Sequence, residues 1–355
     1  MIIIPVVFIL TIVILSAGFK KFLKNASGYS ESTKISIVTA ARNESAAIER
    51  FISSVEKLDY PKENFELIIV DDNSTDNTYA LTEGLTANQK NFIIIKAEEK
   101  TIDAKRGALL KGIEASQYPF ILITDADCVP LSNWLKAYAS VFKKGNDFVF
   151  GPAPFFKEGN FINKVSCFEN IKNHFLSFSL ASIGLPYTAS ARNLGFSKEA
   201  FLRIGGYNNT LDTLSGDDDL LLREAVKNKL KISAFYDDGA MVYSSTKKNM
   251  REYLNQKARH TKSSFHYLLR SKIILGIWHL LNLFMFCSLF LIFINFNFIW
   301  LFALKIFVDT ILIVVIQKKL GYDFNVPEII FHDLFYEIFT VINFFNAFFR
   351  KVKWK

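Results

Sequence analysis

Pro119-Phe120-Ile121-Leu122-Ile123-Thr124-Asp125-Ala126-Asp127 is the stretch on which the fold turns. A short apolar run of this kind reads as a buried strand. The two carboxylates that follow it stand where an open α/β sheet keeps its ligand crevice, outside the carboxyl ends of the strands. Oxygen ligands at that place suit a hard divalent cation, Mg²⁺ or Mn²⁺, and such a cation can hold a diphosphate. Acidic pairs in surface loops are more often solvated turn residues, so Asp125 and Asp127 acquire meaning only from what surrounds them.

Around this stretch the chain alternates short β-branched runs with helical patterns from residue 35 onward, the signature of a doubly wound, mostly parallel α/β sheet. Ser36 to Ala40 reads as the first strand, and Ile48, Phe51, Ile52 and Val55 recur at helical spacing until Asp59-Tyr60-Pro61 ends the helix. Leu67 to Val70 reads as a strand, Asn77 to Gln89 as a helix, Phe92 to Lys96 as a strand and Ala104 to Ala115 as a helix. Phe120 to Thr124, a helix over Ser132 to Lys143 and a strand over Asp147 to Gly151 complete the series. Phe161 to Ile183 reads as a phenylalanine-rich helix, open to two readings: core packing, or a surface helix at a membrane where a lipid-borne acceptor arrives.

Both ends of the 355-residue chain are apolar. Residues 2 to 19 carry no charge and are just long enough to cross a bilayer, and 273 to 295 and 298 to 316 are two further runs of spanning length. Lys20, Lys21 and Lys24 follow the first run, and no basic region precedes it. That pattern reads as a retained anchor with the following domain in the cytoplasm, against the competing reading of a signal peptide cleaved near Ser16-Ala17-Gly18. Asn295-Phe296-Asn297 divides the second and third runs into a hairpin, and Lys305 and Asp309, one turn apart inside the third, can pair. Ile329 to Phe349 reads as an interfacial or re-entrant helix, because a fourth span would put the basic tail Arg350 to Lys355 outside. A net charge of +8, with basic residues flanking the apolar runs, fits anionic headgroups; no basic stripe interleaved with aromatics points to nucleic acid. Three scattered cysteines without metal-ligand spacing suit a reducing cytosol.

Chemistry-bearing residues gather at the ends of the predicted strands. Strand one runs into Ala40-Ala41-Arg42-Asn43-Glu44 and strand two into Asp71-Asp72-Asn73-Ser74-Thr75-Asp76, at the same sheet edge as Asp125 and Asp127. Ser74 or Asp76 is expected to cap the next helix, which leaves Asp71 and Asp72 to accept hydrogen bonds from a base or ribose. Further on, Asp217, Asp218 and Asp219 are consecutive carboxylates; their mutual repulsion raises the pKa of at least one, and such a group serves as a base. An acidic first helical turn favoured by the helix dipole is the plainer reading of one or two of them.

Taken in order, these motifs resemble glycosyltransferase family 2, inverting enzymes of the GT-A fold, over roughly residues 34 to 270. Ala41, Arg42, Asn43 and Glu44 match the family's Pro-Ala-Arg-Asn-Glu segment with Ala40 in place of proline, and Val70 to Asp76 matches its Val-Asp-Asp-x-Ser-x-Asp loop. The resemblance implies nucleotide-sugar contacts at Ala41, Arg42, Glu44, Asp71, Asp72, Lys105 and Asp125, and a divalent cation on Asp125 and Asp127. Ala191-Arg192-Asn193 resembles the acceptor-side Gly-Ala-Asn segment without its glycine, which implies a ligand contact at Asn193. Asp217 and Asp218 take the positions of the family's Glu-Asp pair, with Asp218 as general base. Gln256-Lys257-Ala258-Arg259-His260 resembles the Gln-x-x-Arg-Trp motif of processive members, with Arg259 a diphosphate contact and His260 in place of tryptophan.

The expected organisation is a transmembrane anchor over 1–19, a cytoplasmic GT-A domain over 33–270, a transmembrane hairpin over 273–317, and an interfacial or re-entrant helix with basic tail over 329–355. The expected activity is a metal-assisted, inverting transfer from a nucleotide sugar, foremost a UDP-sugar, to a lipid-linked or other membrane acceptor at the inner face of the cell membrane. So few spans suit single additions better than a polymer channel. A processive synthase subunit and a non-catalytic scaffold are the alternatives; a nucleotidyltransferase is set aside because Ala40 to Glu44 contains no glycine-rich phosphate loop.

Overall fold

The structure is a computed structural model describing residues 3–25, 28–213 and 215–349. Along the chain run α1 (Ile3–Lys24), β1 (Ile35–Ala41), α2 (Ile48–Glu56), β2 (Phe65–Asp71), α3 (Thr78–Thr86), β3 (Phe92–Lys96), α4 (Ala104–Ala115) and β4 (Phe120–Ile123). Then follow β5 (Cys128–Pro130), α5 (Trp134–Lys143), β6 (Phe148–Phe150), α6 (Phe161–Ser182), β7 (Leu194–Ser197), α7 (Lys198–Arg203), α8 (Asp219–Lys227), β8 (Ile232–Ala234) and β9 (Val242–Ser244). The last helices are α9 (Met250–Ser264), α10 (Leu269–Cys287), α11 (Ile299–Ile316) and α12 (Val326–Phe349).

These elements form two compact units, and the division differs from the expected continuous domain over 33–270. One unit holds 22–154 and 188–245; residues 155–187 and 246–270 group instead with the apolar helices. The sheet unit contains a seven-stranded sheet in the order β3-β2-β1-β4-β7-β6-β8, and a small β5-β9 ribbon. β1, β2, β3 and β4 are parallel, as their β-branched runs and intervening helices imply. β7 is antiparallel to both β4 and β6. Its sequence, Leu-Gly-Phe-Ser, lacks the β-branched run that announces a strand, and it pairs only because Gly195 fits where a Cβ would meet Leu122 Cδ2 at 2.3 Å.

Helix α2 explains itself from its spacing: Ile48, Phe51, Ile52 and Val55 are its buried face, each contributing at most about 1.5–3 kcal/mol. They join Ile35, Ile37, Leu67, Ile69, Trp134, Tyr138 and Phe142 in one core. On the other side α4 approaches the sheet closely at Gly112, where a Cβ would stand 2.5 Å from Val38 and 3.0 Å from Val70. That approach brings the start of α4 to the carboxyl ends of β1 and β2.

In the helical unit, α12 packs on α9, α6 and α11, and α10 packs on α11. Phe168, Phe175 and Phe178 of α6 are buried there and serve as core, while Phe161 at its start is exposed. Among the described residues, three helices are long and apolar enough to cross a membrane: Ile3–Lys24, Leu269–Phe293 and Phe296–Leu320. Lys305 and Asp309 pair at 2.6 Å as their spacing implies. α12 is one continuous helix of 24 residues; the basic tail expected after it lies outside the described residues.

Candidate active site

Register brings the predicted strand ends side by side. Ala41 lies opposite Asp71, and the Asp72 N–H donates to Ala41 O at 2.7 Å. Thr39 Oγ1 donates to Thr124 O at 2.8 Å and fixes the exit of β4 beside them. The two loops that follow β1 and β2 turn through left-handed asparagines, Asn43 and Asn73, both at φ 56°. They are laced together: the Asn43 N–H donates to Ser74 Oγ at 3.1 Å and Thr75 N–H to Asn43 Oδ1 at 2.8 Å. The Glu44 N–H donates to Thr78 Oγ1, and Ser45 N–H to Asp76 Oδ2. Burial opposes ionisation of Asp76, but hydrogen bonds from Thr78 and Ser45 outweigh it and hold the carboxyl down to about 2. Asp76 also accepts from the Thr78 N–H, which gives α3 a first-turn bond of the kind its sequence predicts.

Within this frame Asp71 Oδ2 accepts from Ser74 N–H at 3.2 Å, while Asp71 Oδ1 is buried with no partner among the described residues. Asp72 is nearly fully buried and is matched by Lys100, 2.5 Å away, a partner that sequence reasoning missed. Arg42 is exposed at the rim.

The focal group is Lys105, in the first turn of α4. Its Nζ lies 2.5 Å from Asp125 Oδ1 and 2.7 Å from Asp217 Oδ2, tying the end of β4 to the acidic segment almost a hundred residues later. Burial works against its charge, but the two carboxylates prevail and push its pKa well up, so it stays an ammonium. Asp127 and Cys128 offer ligand atoms close to that of Asp125, all within 4.8 Å of one another. Burial, and then the neighbouring Asp125 and Asp127, push the Cys128 thiol well up. The Asp125 and Asp127 carboxylates offer oxygen ligands in a partly open site, which suit a hard divalent cation.

The three consecutive aspartates have three different tethers. Asp217 holds Lys105. Asp218 caps α8, accepting from Asp219 N–H at 2.7 Å through Oδ1 and from Ala191 N–H at 2.9 Å through Oδ2. Asp219 accepts from the Thr188 hydroxyl. Burial first, then Asp219 and Asp217, push the Asp218 carboxyl well up. Its side chain is nonetheless partly accessible, so it is both basic and reachable. Arg106, next to Lys105 and 3% exposed, donates to the carbonyls of Thr210 and Thr213 and so clamps the approach to these acids onto α4. Nothing in the sequence Ala-Lys-Arg-Gly distinguishes this arginine from a surface one.

Two predicted residues fall elsewhere. Asn193 is fully buried, its Oδ1 accepting from Trp134 Nε1 and from Tyr138 OH, both at 2.8 Å, and its Nδ2 donating to Pro152 O at 2.7 Å. In this structure those bonds occupy the amide, so Asn193 packs between the sheet and α5. Beside it Arg192 braces Ala153, Pro154 and Ser244. Arg259 lies on α9 of the helical unit.

A mostly parallel sheet with carboxylates at the carboxyl ends of its central strands, and a lysine joining them to a downstream acidic helix start, defines the GT-A class of fold. The mannosyltransferase of Pyrobaculum calidifontis, solved with GDP-mannose and Mn²⁺, shares that fold with a TM-score of 0.60 over 98% of this chain and 95% of that one, at 13% identity. Residues 36–204 match the model of glycosyl transferase family 2. It is similar to a beta-monoglucosyldiacylglycerol synthase of Nostoc sp., 30% identical over 110 residues, 31% of this chain and 24% of that protein. It is also similar to the glycosyltransferase AglE of Haloferax volcanii, 26% identical over 188 residues, 52% of this chain and 58% of that protein. The chain thus spans about a quarter to three fifths of the length of these relatives.

Proposed function

We propose that the chain is a membrane-bound, inverting glycosyltransferase that moves one sugar from a nucleoside-diphosphate sugar, foremost a UDP-sugar, to a lipid-borne acceptor. The bridge from Lys105 to Asp125 and Asp217 carries this reading, because it gathers the strand-end carboxylates, a fixed cation and the base-bearing segment at one point. Asp71, with one oxygen lacking a donor, receives hydrogen bonds from the base or ribose, and Ala41, Arg42, Glu44 and Asp72 frame that pocket. A divalent cation on Asp125 and Asp127 would neutralise charge on the diphosphate.

The reaction is a single displacement. Asp218 takes the proton of the acceptor hydroxyl as its oxygen bonds to the anomeric carbon; the bond from that carbon to the diphosphate oxygen breaks, and the nucleoside diphosphate leaves with the electron pair. The two N–H groups on Asp218 fix its orientation and leave lone pairs for the proton. Lys105, released from Asp125 by the arriving donor, supplies a fixed positive charge for the leaving group. Three helices long and apolar enough to cross a membrane, and a relative named for a glucosyl lipid, support an acceptor held in the bilayer with the sheet unit on the cytoplasmic side.

The test is hydrolysis and transfer by the purified chain with UDP-, GDP- and dTDP-sugars, Mg²⁺ or Mn²⁺, and an EDTA control. Metal-dependent release of one nucleotide is expected, with a lipid product carrying one sugar. A polymer would establish the processive alternative, and no turnover together with no nucleotide binding by calorimetry would refute catalysis.

A further inference from the structure

The helical unit contains a charge cluster that the proposed transfer does not use. Lys172 of α6, Lys305 and Asp309 of α11, and Asp333 and Glu337 of α12 converge in its interior, every side chain 5% exposed or less. Lys172 Nζ lies 3.0 Å from Asp309 Oδ2 and 2.6 Å from Asp333 Oδ1. Lys305 Nζ lies 2.6 Å from the same Asp309 oxygen and donates to Asn282 of α10 at 3.5 Å.

Neither the charges nor the hydrogen bonds balance. Two ammoniums against three carboxylates leave one negative charge over, in an interior that strongly disfavours an unbalanced ion. Hydrogen-bond donors also fall short: Asp333 Oδ2 and Glu337 Oε1 are buried without one. Lys305 Nζ lies 3.7 Å from the first of these oxygens, beyond hydrogen-bond reach, and 3.0 Å from the second without forming a hydrogen bond to it, so the contacts are ion pairs alone. Asp333 and Glu337 are four residues apart on one helix, the spacing at which like charges repel.

We infer that the cluster is a proton-binding site, in which Asp333, beside Glu337, retains one proton in the folded protein. One proton cancels the surplus charge, and the O–H it creates is a donor where two oxygens lack one. A divalent metal ion would have to enter among three carboxylates already approached by two ammoniums, at 2.6–3.9 Å. Burial raises the Asp333 carboxyl against the pull of Lys172, which favours Asp333 as the holder. The groups facing the pair are Lys172 from α6, Lys305 and Asp309 from α11, and His279 and Cys287 from α10 at longer range. Tyr336 of α12 itself completes the set, its ring centroid 4.7 Å from Lys172 Nζ.

A proton kept on folding, at a pKa above the ordinary carboxyl value of about 4, stabilises fully below that value. The benefit is lost as pH rises toward the folded pKa, with the unfolding equilibrium shifting about tenfold per pH unit over that window. The experiment uses the whole chain in detergent and needs no sugar donor. Infrared difference spectra between about pH 5 and pH 9 read the carbonyl stretch of a protonated carboxyl, and denaturant unfolding followed by tryptophan fluorescence reads stability over the same range, in sodium, potassium and choline chloride. Wild type is expected to show the band and the tenfold-per-unit weakening in all three salts. Asp333→Asn and Glu337→Gln neutralise the cluster without a proton, and each should lose both signals; either variant suffices if the other fails to fold. A pH profile shared by wild type and the variants would overturn the inference, as would a dependence on sodium or potassium in place of pH.

Discussion

Replacing Lys105 by methionine tests the bridge at the centre of the site without requiring the right donor. The substitution keeps an unbranched, apolar stem of similar reach and removes one charge. In the wild type the two facing oxygens lie 2.5 Å and 2.7 Å from the ammonium. Without it, two carboxylates no more than about 5 Å apart repel by about 3 kcal/mol at an effective dielectric near 20. Asp125 is 33% and Asp217 12% exposed at the side chain, so water entering the site screens part of that. A net loss of about 1–2 kcal/mol remains. At about 2–4 °C per kcal/mol for a domain of this size, the thermal midpoint in EDTA should fall by about 2–8 °C. Mn²⁺ should then raise the midpoint of Lys105→Met more than that of wild type, because the cation restores the missing positive charge beside Asp125 and no longer competes with a lysine for it. The assay is thermal unfolding of both proteins in EDTA and in a Mn²⁺ series. Equal midpoints in EDTA, or equal gains from Mn²⁺, would refute the reasoning.

Asp218→Asn should lower kcat by about 10²–10⁴ with little change in donor affinity by calorimetry, since the base acts on the acceptor. Because burial and the flanking acids raise the Asp218 pKa, wild-type kcat/KM should fall as pH drops through a limb displaced above the ordinary carboxyl range, and a rate profile flat down to the ordinary range would count against this base. Asn193→Ala should cost about 2–4 kcal/mol of stability, measured by denaturant unfolding, since it orphans Trp134 Nε1 and Tyr138 OH, while KM for the donor stays unchanged in the folded fraction. Arg106→Lys should fold but lower kcat, and the loss should vanish in an Asp217→Asn background if the arginine acts by positioning that acid; multiplying losses would indicate independent roles.

The sheet and its crevice were legible because their signals are local. Ile35 to Ala41 and Phe65 to Asp71 are rich in β-branched residues and buried at every position but Ala40, and the polar residues that end them fall at one edge once the strands are parallel. The antiparallel strand was not legible, because Leu194 to Ser197 pairs for reasons that lie in its neighbours: the space beside Leu122 and the edge left by β4 and β6. The packing role of Asn193 was hidden for a related cause. A short polar residue in a family-like segment has the same sequence appearance whether its amide faces a ligand or, as here, three buried groups of the protein itself. The boundary of the sheet unit was also hidden, since α9 is polar in sequence and looks soluble, yet packs on α12 through Tyr253 and Ala258.

The triple aspartate shows how one sequence feature resolves into several chemical roles. Repulsion among three adjacent carboxylates guarantees only that some pKa is raised; it does not say whose. The tethers decide. Lys105 pairs with Asp217, and the Thr188 hydroxyl donates to Asp219. Asp218 has only backbone N–H donors, which orient a carboxylate without supplying a full counter-charge. Burial and the flanking acids push its pKa well up, and the residue is also one left partly accessible. A base must be oriented, reachable and reluctant to stay ionised, and of the three acids Asp218 alone combines those properties with freedom from a cationic partner among the described residues.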